Sequence, residues 1–258
     1  MAIPKKIHYV WVGTAPIPDS DQKYIKDWHK LHPDFEIRHW TEKDIDLEKY
    51  PLVAKAIREH RWALAADIIR MYAIYTEGGF YMDTDVELLA PLHDLLQYDG
   101  VACWESKYWF TTSFFGAKKH SPWIKKVLRR YQGLLPKKIS NSTFMCTVHS
   151  PSVFAEDIYG LKLDGKTHTY DDGKFIVFAP EYFNPKHYST GVMHQTENTR
   201  AIHHYASTWH SKFEKNMQNL GVFWVKLMGP KLFSICEFSY HKILTTKIRR
   251  DYKKVTKK

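Results

Sequence analysis

Sulfur is scarce in this chain. Its three cysteines, Cys103, Cys146 and Cys236, are odd in number and far apart. None falls in a Cys-x-x-Cys spacing, so neither a disulfide framework nor a thiolate zinc site is expected. Long apolar runs are missing too. Toward the C-terminus the longest pieces between charges are NLGVFWV and LFSIC, well short of the ~20 residues that a spanning helix needs. The opening MAIPKKIHYVWVG lacks the apolar core and the cleavage site of a secretion signal. A reducing, cytoplasmic setting is the expectation. No repeat and no linker-like tract breaks the 258 residues, which predicts one main domain over 1–220 and a helical, basic segment over 221–258.

Acidic residues are the scarcer charge, 28 against 38 Lys and Arg, for a formal net charge of +10. Such an excess suits nucleic acid, an anionic membrane face or a phosphate-bearing ligand. From Lys226 onward, ten basic residues face only Glu237 and Asp251, which accounts for eight of the ten net charges. That concentration speaks against a nucleic-acid module, whose basic stripe would interleave with aromatics. The mixed apolar and basic end, LMGPKLFSICEFSYHKILTTKIRRDYKK, suits an anionic leaflet, at ~1 kcal/mol per Lys or Arg near the surface. The alternative is a terminal helix packed on the core with a solvated tail.

Periodicity supplies an α/β reading. IHYVWVG (7–13) predicts a first strand, DSDQKYIKDWHKLHP a helix stopped by Pro33, and FEIRHWT (35–41) a second strand. TEKD at 41–44 resembles a capping start. WALAADIIRMYAIYTEGG (62–79) predicts a helix with Leu64, Ile68, Tyr72 and Tyr75 on one stripe. Asp67 and Arg70, three apart, project together from another side. FYMDTD reads as a strand and VELLAPLHDLL as a turn into a short helix. Strands are predicted at 101–106 and 110–118, a helix at 121–135, and a β-rich or irregular region over 136–200.

The stretch GGFYMDTDVELL (78–89) carries the chemistry. It places Asp83 and Asp85 at the end of an apolar strand, where unpaired carboxylates are costly and where ligands of open α/β sheets bind. Oxygen ligands two apart suit Mg²⁺ or Mn²⁺ clamping a diphosphate. A haloacid dehalogenase-like phosphatase also uses DxD after a strand, but as DxDxT on the first strand.

IPKKIHYVWVG, ALAADIIRMYAIYTEGGFYMDTDVELL and AIHHYASTW together resemble the DXD-containing sugar transferases of glycosyltransferase family 32, related to the glucosyltransferase domains of large glucosylating toxins. The likeness is strong over about 3–90 and returns at 201–209. It implies a GT-A fold, a Rossmann-like nucleotide-binding sandwich with a mixed sheet. It also implies hexosyl transfer from a nucleotide sugar, with retention, to a saccharide acceptor, lipid-linked in capsular or surface polysaccharide synthesis. By the family pattern Val10, Trp11 and Val12 line the donor, with Trp11 on the nucleobase or, alternatively, in the core. Asp67 and Arg70 contact donor sugar and phosphate. Tyr81 lies beside the donor, Asp83 contacts ribose or sugar, and Asp85 ligates the metal. His204, preferred to His203, is the third metal ligand, and Ser207 and Trp209 belong to a loop over the diphosphate. Where relatives read Gly-Ser-Trp this chain reads Ser207-Thr208-Trp209, which leaves Ser207 and Thr208 both open as contacts.

Overall fold

The computed structural model describes residues 3–188, 191–206 and 235–257. The predicted β-α-β opening forms as β1 (Lys6–Val10), α1 (Asp19–Leu31) and β2 (Glu36–Trp40), with β1 and β2 parallel. Acids in the first turn of α1 and His29 and Lys30 in the last align with its dipole. Thr41 and Asp44 complete the expected capping box. A helix not read from the sequence, α2 (Pro51–Arg58), leads into α3 (Trp62–Glu77).

α3 is buried around most of its circumference, not along one stripe, because it packs on the sheet and on other helices together. Gly78, at φ +70°, ends it, and Gly79, at φ +113°, begins β3 (Gly79–Met82). A Cβ on Gly79 would lie 2.8 Å from Lys6 O, so only glycine lets the helix turn straight into a central strand.

β4 (Val86–Leu88), β5 (Gly100–Cys103), β6 (Phe114–Ala117), β7 (His168–Tyr170), β8 (Phe175–Phe178) and β9 (Ala201–His203) complete the described strands. Seven form one mixed sheet in the order β2-β1-β3-β6-β5-β8-β7, while β4 and β9 pair separately. Successive residues feed opposite cores: Phe80 and Met82 one, Tyr81 the other; Phe114 one, Phe115 the other; Ile176 one, Val177 the other. Both faces are covered, which is why these strands read as continuous apolar runs.

Two expectations are corrected. Val86–Leu88 is a strand, not a turn into a helix, because β9 pairs with it and the Trp28 indole of α1 donates to Val86 O at 3.0 Å. The region 136–200 holds a 19-residue helix, α5 (Asn141–Tyr159), with Pro151 inside it. Pro151 cannot donate to Thr147 O, the carbonyl one turn back. Tyr131 Oη–H of α4 (Pro122–Gln132) donates to that oxygen instead, at 2.8 Å. A Ser140–Thr143 capping box and Gly160 in the left-handed region bound the helix, and tertiary packing outweighs the local penalty. KFIVFAPEYF divides into β8 and α6 (Pro180–Phe183).

Residues 235–256 are helical. Leu244 and Ile248 are buried in the α3-side core, Arg249 pairs with Asp157 at 2.6 Å, and Lys247 reaches Ser142 Oγ at 2.6 Å. This is the packed terminal helix weighed above, with Lys253 and Lys254 exposed. No helix among the described residues is long and apolar enough to cross a membrane.

Candidate active site

β3 and β5 each run antiparallel to β6, and β3 parallel to β1, so the carboxyl ends of β1, β3 and β5 share one edge of the sheet. Asp83 follows β3 there, in a turn closed by Val86 N–H donating to Asp83 O at 3.0 Å. Thr84, between the two acids, donates its hydroxyl to Asp21 Oδ2 of α1 at 2.7 Å. Asp21, not picked out on sequence, is buried and pins this turn.

The β4–β9 register sets Val86 opposite His203. His203 Nε2 is thereby 3.3 Å from Asp85 Oδ1 and 4.0 Å from Asp83 Oδ2, and Ala206 N–H donates to Asp85 Oδ2 at 2.7 Å. Burial pushes the Asp85 carboxyl up, but the His203 hydrogen bond and charge and the Ala206 amide outweigh it, and the net direction is down. His203 is pushed down by burial, but Asp85, Asp83 and Glu105 together outweigh it and the net direction is up.

The third residue differs from the one preferred on sequence. His204, the first residue past β9, continues the alternation of an extended chain and points elsewhere, 2.9 Å from Glu87 Oε2 and stacked on Tyr24. His203 takes its place. Donor atoms of Asp83, Asp85 and His203 lie within 4.8 Å of one another, a span that one cation with oxygen ligands at ~2.1–2.6 Å can bridge after small adjustments. His203 Nδ1 is buried without a hydrogen-bond partner among the described residues. Two carboxylates and an imidazole fit a divalent ion that keeps positions for water or phosphate.

From α3, Arg70 Nη2 meets Asp67 Oδ1 at 3.1 Å and Asp83 Oδ1 at 3.3 Å, while its Nη1 donates to Thr112 O at 2.6 Å. Its guanidinium lies over the Tyr81 ring, whose hydroxyl donates to Asp83 Oδ1 at 2.7 Å. The cluster is buried, and burial pushes the Asp67 carboxyl up to about 7 against the pull of Arg70. Asp67 Oδ2 and Arg70 Nε have no partner among the described residues. Unsatisfied buried polar atoms of this kind mark a place for a hydroxyl or phosphate oxygen.

These residues line a cavity of about 510 Å³. Val10 joins them. Trp11 is buried, its indole donating to Ala15 O at 2.6 Å, and Val12 belongs to the core; neither lines the cavity. Ser207, Thr208 and Trp209 lie outside the described residues. Glu105 and Tyr205 also line it and were not picked out on sequence. Burial pushes the Glu105 carboxyl up, and Tyr205, at φ +54°, donates to Glu105 Oε1 at 3.3 Å and to Asn184 Oδ1 at 2.9 Å. An acid at the end of the predicted strand VACWES was the same signal that drew attention to Asp83.

Comparison with known proteins bears on this geometry. Residues 18–102 match the family described as glycosyltransferase sugar-binding region containing DXD motif. The chain is 30% identical over 132 residues to inositol phosphoceramide mannosyltransferase 3 of Schizosaccharomyces pombe, a match to 50% of this chain and 37% of that protein. It is 25% identical over 134 residues to inositol phosphoceramide mannosyltransferase 2 of the same organism, covering 50% and 39%. The chain thus spans less than two fifths of the length of these curated relatives. Among solved structures, the PaToxG glycosyltransferase superposes with TM-score 0.51 at 19% identity, over 61% of this chain and 70% of the other. This supports a shared α/β glycosyltransferase fold.

Proposed function

We infer, from the premise that the chain carries the DXD-containing sugar-binding region of a GT32-like glycosyltransferase, that it moves a hexosyl unit from a nucleotide sugar, a UDP-hexose, to a saccharide acceptor. The carrying observation is that Asp83, Asp85 and His203 meet the buried Asp67–Arg70 pair in one cavity at the carboxyl edge of the sheet.

Asp83, Asp85 and His203 would hold Mn²⁺ or Mg²⁺, which when bound supplies positive charge against the diphosphate. Arg70 adds a fixed cation, kept charged by Asp67 and Asp83 and preorganised by Thr112 O. Charge developing on the departing phosphate is thereby stabilised without reorganisation. Asp67 Oδ2, which has no described partner, accepts from a donor sugar hydroxyl, and Tyr81 orients Asp83.

In the reaction the bond from the sugar's anomeric carbon to the diphosphate oxygen breaks, and one to an acceptor oxygen forms. The acceptor's proton passes to the departing phosphate on the same face, which retains configuration. The acceptor is a lipid-linked saccharide in surface polysaccharide synthesis, approached through the basic helix at 235–256.

Thermal unfolding with UDP-glucose, UDP-galactose and GDP-mannose, with and without Mn²⁺, tests the reading. A ligand at 100 times its Kd stabilises by ~2.7 kcal/mol. At least one sugar nucleotide should raise Tm only with the metal; indifference to all of them would overturn the assignment.

A further inference from the structure

The cavity extends beyond the cation cluster over a second wall. Glu105 and Trp109 come from the turn after β5, Phe144, Met145 and Val148 from α5, and Tyr240 from the 235–256 helix. The turn is firmly closed: Glu105 N–H and Ser106 N–H both donate to Trp109 O, at 2.8 and 3.2 Å, and Trp104 bridges to Phe110. It holds a carboxylate and an indole close together on the strand edge that also carries Asp83. Trp109 is backed by His149, with ring centroids 4.0 Å apart. The Tyr205 hydroxyl donates to Glu105, and its ring centroid lies 3.9 Å from that of His203. One side chain therefore separates Glu105 from the cation cluster.

Charge narrows what this wall takes. Glu105 and Glu237 both face the cavity. Among the described lining residues the sole Lys or Arg is Arg70, already engaged by Asp67 and Asp83. Among the described residues a second phosphate would meet two carboxylates and no free cation. An acyl chain would desolvate those carboxylates and bring no donor of its own. A neutral, polyhydroxylated ring meets both demands, because its C–H faces lie against aromatic rings while its hydroxyls donate to carboxylates. Few convergent polar groups in a largely apolar wall is the usual make-up of a small-molecule site.

We propose that this wall is the acceptor subsite and takes a hexose-type ring, with Glu105 accepting a hydrogen bond from an acceptor hydroxyl and Trp109 and Tyr240 contacting the ring's C–H faces. Its role as acceptor site rests on the glycosyltransferase reading; its affinity for a sugar ring does not. Glu105 is a specificity-determining residue in this scheme, set apart from the groups that hold the donor.

Saturation-transfer NMR on the full chain with Mg²⁺, without donor, tests it. The probes are methyl α-D-mannopyranoside, methyl α-D-glucopyranoside and methyl α-D-galactopyranoside. At least one should receive saturation at its ring protons. UDP and GDP should not displace it, and its Kd should rise tenfold or more in E105Q and in Y240A. In turnover with the productive sugar nucleotide, E105Q should raise the acceptor KM at least tenfold while the donor KM moves less than twofold. No transfer to any glycoside, displacement by UDP, or unchanged affinity in both variants would overturn the subsite. So would binding of octyl chains in place of the methyl glycosides. The donor reading fails separately, by the absence of metal-dependent stabilisation with sugar nucleotides.

Discussion

Replacing Asp67 by asparagine should remove a pH dependence built into the buried cluster. The unfolded chain releases this proton near 3.8, whereas burial holds it on the native state up to about 7. Between those values the native state binds the extra proton, so this contribution to stability is largest at low pH, falls as pH climbs through the window, and levels off above it. At ~1.4 kcal/mol per unit of pKa, three units bound the loss near 4 kcal/mol. Coupling to Arg70 at 3.1 Å and to Asp83 through the same guanidinium makes ~2–4 kcal/mol the working range. Asparagine is nearly isosteric and does not titrate. The stability of D67N minus that of the wild type should therefore rise by this amount from pH 4 to pH 8, in urea titrations without added metal. Parallel profiles within ~0.5 kcal/mol would refute the raised carboxyl. A difference that falls with pH would make the pair an ordinary stabilising ion pair. The same variant should weaken sugar-nucleotide affinity, since an acceptor oxygen for a donor hydroxyl has been lost.

Other outcomes follow from the packing. H203A and D85A should each weaken Mn²⁺-dependent stabilisation at least tenfold in metal concentration, while H204A, which loses the Glu87 contact and the Tyr24 stack, should move it less than twofold. W28A should lower stability by ~3–5 kcal/mol, seen in urea unfolding, because the buried indole also supplies the donor to Val86 O. Membrane association is best tested by changing Arg250, Lys253 and Lys254 to glutamine, since deleting the helix would strip out the buried Leu244 and Ile248. Weaker binding to phosphatidylserine vesicles with unchanged Tm is the expected result, and unaltered vesicle binding would remove the idea.

What could be read ahead of the structure was whatever is local. Gly78-Gly79, the apolar run of β3 and the paired acids announce their strand and turn by residue type alone, and Asp67 and Arg70 share a side by helical spacing. The choice between His203 and His204 was not local. It depends on the register of β9, which sets His203 opposite Val86, far away in sequence. α5 was hidden for a similar reason: Pro151 lowers its helical signal, and the Tyr131 hydroxyl that compensates comes from another helix. Glu105 shows its role only when β5 is seen to run with β3. Trp11, read as a nucleobase platform or a core residue, is buried with its indole on a local carbonyl.

The short β4–β9 ribbon sets an order of events during synthesis. Its two strands bring together groups as much as 121 residues apart, as the Ala206–Asp85 hydrogen bond shows, so the aspartates emerge from the ribosome long before the imidazole that joins them. A nascent chain exposing only the first half offers two carboxylates and an arginine, but no completed cation seat. Competence to grip a charged sugar donor therefore arrives late, close to the moment when the closing helix can cover the hollow.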